Sequence, residues 1–266
     1  MTFRDIATLV TPLAVPALHV LKSETPSLSY FGGRPALPKN LSWPERNGRK
    51  LDFLARLSLT EIQRVLSIEW LPREGALLFF YDLQEQPWGF DPKDGNGSAV
   101  IWVPDITQPV AQNTSDAGND TSIAHHSNIC FRSINVLPSA DSDHLSALNL
   151  NDDEFDLFSE LLDEPFLNQP KHQVAGIPAP IQSDTMELEC QLVSNGLFCG
   201  NATGYKDPRA SELKAGAKDW KLLFQIDTDD DLEIMWGDGG RIYYWIKENE
   251  ARQGNFSNTW VVLQCY

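Results

Sequence analysis

Residues 222–246 read LLFQIDTDDDLEIMWGDGGRIYYWI. Two short apolar runs, LLFQID and RIYYWI, are rich in aromatic and β-branched residues and fit strands. The segment between them holds Asp227, Asp229, Asp230 and Asp231 within five positions, then Met235 and Trp236, then Gly237, Asp238, Gly239 and Gly240. Asp and Gly at this density mark turns. The stretch therefore reads as paired strands around an acidic, glycine-rich connection.

The same arrangement has an earlier echo. FLARLS (53–58) lines up with LLFQID (222–227), and Gly75 followed by ALLFFY lines up with Gly240 followed by RIYYWI. GGRPALP (32–38) is echoed by GIPAPI (176–181). Three blocks in the same order imply a diverged duplication. The expected fold is α+β and β-rich: two diverged repeat halves sharing one core, with a few short helices. The halves span about residues 31–103 and 172–266 of a single domain covering residues 1–266, separated by an acidic insert at about 104–170. Arg56 and Ser58 stand where Gln225 and Asp227 stand in the second half, and TEIQRVL replaces the Asp cluster. The strand pattern thus does not itself demand the acids.

Around these blocks, LDFLARLSL (51–59), ALLFFYDL (76–83), SAVIWV (98–103), EIMWGD (233–238) and NTWVVLQC (258–265) read as strands, and MELECQLVSNGLFC as extended. The N-terminus reads as a short helix and a Pro-punctuated extended segment; Asp5, Pro12 and Pro16 argue against a signal peptide. Residues 133–170 contain no Lys or Arg. QNTSDAGNDTS (112–122) is turn-like, Asp141 and Asp143 follow, and DDEFDLFSELLDE reads as a helix. Phe155, Phe158, Leu161 and Leu162 form its apolar stripe, while Asp152, Asp153, Asp156, Glu160 and Asp163 cover the rest.

The chain has 21 Lys and Arg against 37 Asp and Glu, a formal net charge of −16. Nucleic acid and anionic membrane are repelled by that balance, while a cation or a basic protein is attracted. No apolar run of about twenty residues spans a bilayer. The four cysteines form no C-x-x-C pair, which fits a reducing compartment. No nucleophile elbow, phosphate loop, dinucleotide fingerprint or zinc-protease motif is present, and no catalytic residue is assigned.

The acids leave two readings open. Asp227, Asp229 and Asp231 alternate as in a calcium loop, but Leu232 takes the place of its glycine and Asp238 that of its terminal Glu. Calcium or magnesium held by Asp229, Asp230 and Asp238 is one expectation, inside a ligand site of Gln225, Asp227, Asp229, Asp230, Trp236 and Asp238. A solvated hairpin rim with Trp236 in the core is the other.

FGGRPALPKNLSWP, FLARLSL and LLFFYD, with GIPAPIQ, ECQL, LLFQIDTDD, MWGDGGRIYYWI and WVVLQC, resemble the YwqG-like family over nearly the whole chain. FLARLS departs from the family's more usual FLAQID. The resemblance implies a β-rich α+β fold in a soluble, bacterial-type protein, which with the cysteine usage makes a cytoplasmic location the expectation, and the family is known chiefly as a domain of unknown function. Association of some relatives with toxin systems makes an immunity-type role an analogy. Two functional expectations result. One is a non-catalytic binding protein that docks a basic protein partner on Asp152, Asp153, Asp156, Glu160 and Asp163. The other is a divalent-cation-dependent enzyme or small-ligand-binding domain at residues 227–238.

Overall fold

Every residue of the run WKLLFQID except Lys221 is buried, on both faces of the strand it forms. ALLFFY is buried throughout, and so is RIYYWI. Such runs need cover above and below, and a computed structural model shows how it is supplied. The structure describes residues 3–35, 37–107, 125–140, 142, 145, 148 and 150–266. QNTSDAGNDTS, Asp141 and Asp143 lie outside the described residues.

The strands are β1 (Val15–Lys22), β2 (Tyr30–Phe31), β3 (Glu45–Arg46), β4 (Arg49–Lys50), β5 (Asp52–Ser58), β6 (Ala76–Tyr81), β7 (Ser98–Val103), β8 (Ser127–Val136), β9 (Gln173–Val174), β10 (Trp220–Asp227), β11 (Arg241–Lys247) and β12 (Trp260–Gln264). Ten of them form one antiparallel sheet in the order β12-β11-β10-β9-β1-β8-β2-β5-β6-β7, and β3 pairs with β4. The sheet curls until it is nearly closed. Its concave face holds the main core, with Leu18, Phe31, Leu57, Phe79, Phe224 and Tyr244 among its side chains. The free edge of β12 is met by the segment after β6: Leu263 N donates to Trp88 O (3.0 Å) and Trp260 Nε1 to Gly89 O (2.8 Å). Gly89 has φ +84°, and a Cβ there would lie 1.8 Å from Val261 O. Only glycine lets the two backbones approach this closely.

Several sequence expectations change. MELECQLV is a helix, Met186–Val193, packed through Met186 and Cys190 on the outer faces of β10, β11 and β12. Burial on one side of a helix satisfies its apolar spacing as well as a strand would. EIMWGD forms no strand; its one ladder contact is an isolated bridge between Asp229 and Ile234. The stretch 104–170 supplies β8, which pairs along its length with β1 at the centre of the sheet. β5 and β10 each carry a register irregularity, between Phe53 and Ala55 and between Leu222 and Phe224.

DDEFDLFSELLDE does form a helix, Asp152–Asp163. Asn151 and Glu154 make a reciprocal capping box at its start. Phe158 and Leu161 pack on Ile6 and Val10 of the N-terminal helix. Phe155 is half exposed, so the predicted stripe is narrower than four residues.

Candidate functional site

A polar ladder crosses the outer face of the sheet. Strand register places Arg132, His19, Gln173, Gln225 and Tyr243 side by side on β8, β1, β9, β10 and β11. A second row joins Asp227, Arg241 and Gln264. Most of these side chains are shielded from water, and buried polar groups need partners. A strap, residues 177–184, supplies many of them.

The strap sequence explains the fit. Pro178 and Pro180 have no N–H, so Ala179, Ile181 and Gln182 carry the donors of its middle. Ala179 N donates to Gln225 Oε1 (2.9 Å), while Ile181 N and Gln182 N both donate to Gln264 Oε1 (2.9 and 3.1 Å). Ala179 O accepts from Arg241 Nη1 (2.8 Å) and from Tyr243 Oη (2.9 Å). Gln264 Nε2 closes the set on Ser183 O (2.8 Å). Burial raises the Tyr243 phenol well above its ordinary range, which keeps it a donor.

The segment leading into the strap is pinned the same way. Gln225 Nε2 donates to Lys171 O (2.6 Å), and Lys171 N donates to Asp227 Oδ2 (2.7 Å). Asp227 Oδ1 also takes Arg241 Nε at 2.7 Å, an ion pair with little water access. Asp227 N donates to His172 Nδ1 (3.0 Å), so the proton of that imidazole sits on Nε2, which faces Asp229 Oδ2 at 3.1 Å. Burial pushes the Asp229 carboxyl up, but the His172 hydrogen bond and the nearby Lys22 charge help to outweigh it and leave it below the usual carboxylate range. His19 Nε2 donates to Pro170 O (2.9 Å), and its Nδ1 takes Arg132 Nη2 (3.0 Å). Both nitrogens are thus used by the neutral ring. Burial drives the pKa of His19 down to about 4, against the Pro170 bond and with the help of Arg132 and His172.

These positions place each residue singled out by sequence. Gln225 and Asp227 lie in the ladder as anchors of strap and backbone. Asp229 faces His172 and Lys22. Asp230 and Asp238 are exposed on the connection, and Asp231 reaches Lys22. Trp236 is fully buried in the main core, edge-on to Tyr81. Among the described residues no group of three or more His, Cys, Asp or Glu is placed to hold a metal ion, so Asp229, Asp230 and Asp238 do not converge. Asp152, Asp153, Asp156, Glu160 and Asp163 are all exposed on one helix. Arg132, His19, Gln173, Arg241, Tyr243 and Gln264 were missed. For His19 and Gln264 the signal was one polar residue inside an otherwise apolar run, as in PALHVL and VVLQC.

Strap and acidic helix wall off a cavity of about 320 Å³. Val136, Leu162, Phe166, Ile177 and Pro178 supply much of its apolar lining, and Gln173, Asp163, Lys171 and Asp184 its polar part. A wider depression of about 710 Å³ lies over Trp220 and Trp245. Its rim sets Glu69, Glu187 and Glu248 against Lys218, Lys221 and Arg252, so it favours no sign of ligand charge.

Fold and site together define a β-rich α+β domain with a proline-punctuated strap over a polar sheet face. The chain belongs to the family described as Domain of unknown function (DUF1963), whose model matches residues 29–265. No curated protein matches the chain. No helix among the described residues is long and apolar enough to cross a membrane.

Proposed function

We propose that the protein is a non-catalytic binding protein that docks a basic protein partner on the exposed face of helix Asp152–Asp163. One observation carries this. Asp152, Asp153, Asp156 and Glu160 project from that face with no ion-pair partner among the described residues, while the helix is held by Phe158, Leu161 and its capping box. Among the described residues no ion pair or core contact uses these four charges, and only Asp152 and Asp153, in the first turn, also favour the helix dipole. Asp163 pairs with Lys171 and joins the patch to the strap. With −16 overall, association with a basic surface is fast and salt-sensitive. An immunity-type role is one form of this docking, by analogy with YwqG-like relatives. Four free cysteines, three of them buried, favour a cytoplasmic setting. The cation-site alternative loses support because Asp227 and Asp229 are committed to Arg241, His172 and Lys22.

The duplication belongs to the same proposal. Several pairs of contacts support it. Ser58 N bonds Ser29 Oγ as Asp227 N bonds His172 Nδ1. Arg56 reaches Leu28 O as Gln225 reaches Lys171 O. Leu59 N meets Gly75 O as Thr228 N meets Gly240 O. Positive φ recurs at Gly32 and Gly33 and at Ala175 and Gly176. If the two segments superposed no better than unrelated stretches of equal length, the duplication would be abandoned.

The docking test is capture of basic proteins at roughly 50 and 500 mM salt, which brackets strong and weak screening. Wild type retains partners at low salt only, and D152N/D153N/D156N/E160Q releases them at both. Equal retention by the neutralised variant removes the proposal.

A further inference from the structure

From the cavity between strap and acidic helix we infer a binding site for a small organic cation: an apolar body ending in a primary ammonium. The argument begins at its buried floor. Gln173 is fully buried and lines the cavity. Its amide orientation is fixed, because Nε2 donates to Ala175 O (2.7 Å) and Ile177 O (2.8 Å). A flipped amide would set oxygen against two carbonyls. Oε1 is therefore the free end, and it has no hydrogen-bond partner. An orphaned buried acceptor is costly, and a ligand N–H relieves that cost once a small shift of the floor opens Oε1, which is closed off in the structure, to the cavity.

The remaining lining narrows the choice. Asp163 and Asp184 outnumber Lys171, and Asp163 already neutralises Lys171. Asp184 accepts one hydrogen bond, from Ser139 Oγ at 2.9 Å, and lines the cavity. The free acceptors are thus an amide oxygen and a carboxylate, which favour a cationic donor over an anion. Val136, Leu162, Phe166, Ile177 and Pro178 favour an apolar body. A volume of about 320 Å³ is at the lower end for small-molecule sites. The site shares Leu162 and Asp163 with the acidic helix, but its tested residues, Gln173 and Asp184, lie outside that helix, so its failure and that of the docking face are distinguishable.

The test uses the full chain with phenethylamine, and phenethyl alcohol and phenylacetate as neutral and anionic counterparts. Binding is read by titration calorimetry and by amide chemical shifts. Phenethylamine binds with a Kd of roughly millimolar or better, shifting residues 173–184, and the other two bind about tenfold more weakly or not at all. D184N weakens the amine about tenfold and leaves the alcohol unchanged. Q173M does the same and weakens the alcohol too. If Q173M fails to fold, D184N alone decides. Equal binding of the three probes, amine binding untouched by D184N, or no binding at millimolar amine overturns the inference.

Discussion

Removing Asp227 tests whether the polar ladder is structural. Asp227 and Arg241 are each less than one-tenth exposed, and their bond is 2.7 Å long. In D227A the Arg241 guanidinium keeps Ala179 O and loses its counter-charge, while Lys171 N loses its acceptor. Breaking a buried pair on one side costs about 3–5 kcal/mol, and an orphaned amide adds about 1–3 kcal/mol. Allowing for water that reaches the vacated space, the expected loss is about 4 kcal/mol. The double variant D227L/R241M removes both charges. Ala179 O then still has Tyr243, leaving mainly the Lys171 amide unsatisfied. Its expected cost is about 1–3 kcal/mol, less than that of the single change. Urea unfolding at neutral pH, followed by tryptophan fluorescence, measures both. A loss under about 1 kcal/mol in D227A, or a double variant no better than the single, refutes the reasoning.

Two further outcomes follow from the same face and from the sheet closure. The pKa of His19 lies at about 4 in the fold, below its ordinary value of 6.5. As pH falls the unfolded chain takes the proton first, so stability is whole above about 6.5, drains toward about 4 and then levels. H19Q flattens that part of the urea-midpoint profile, and an unchanged slope would remove His19 as its source. G89A drives a Cβ into Val261 O and loosens the β12 edge by on the order of 3 kcal/mol. G196A, also at positive φ but with open space around it, costs only about 1 kcal/mol. Equal melting temperatures for the two would show that the approach at Gly89 does not matter.

Much of this fold was legible. Strands at 52–58, 76–81, 98–103, 220–227, 241–247 and 260–264 stand where apolar runs and turn residues placed them. The helix Asp152–Asp163 was visible in its Asn-Asp start and its Phe158 and Leu161 spacing. MELECQLV was misread because eight residues with apolar side chains at mixed spacing fit either element, and packing on Trp220 and Tyr243 chose the helix. Gln225 and Asp227 drew attention for their chemistry, but their task was hidden. Nothing local says that Gln225 meets Ala179 and Lys171, forty-six and fifty-four positions away.

The sequence by itself determined the strand-forming runs, the acidic balance and the strap's pattern of missing donors, because apolar spacing, charge and proline geometry are local properties of the chain. Only the tertiary structure decided which acids are consumed and which are free. Asp227 was set against Arg241 by strand register and Asp229 against His172 and Lys22 by the turn after β10, whereas Asp152, Asp153, Asp156 and Glu160 were left in water by a helix that buries its other side. Register and burial are set by contacts between distant residues, and the same side chain becomes a buried anchor or a solvated charge according to them.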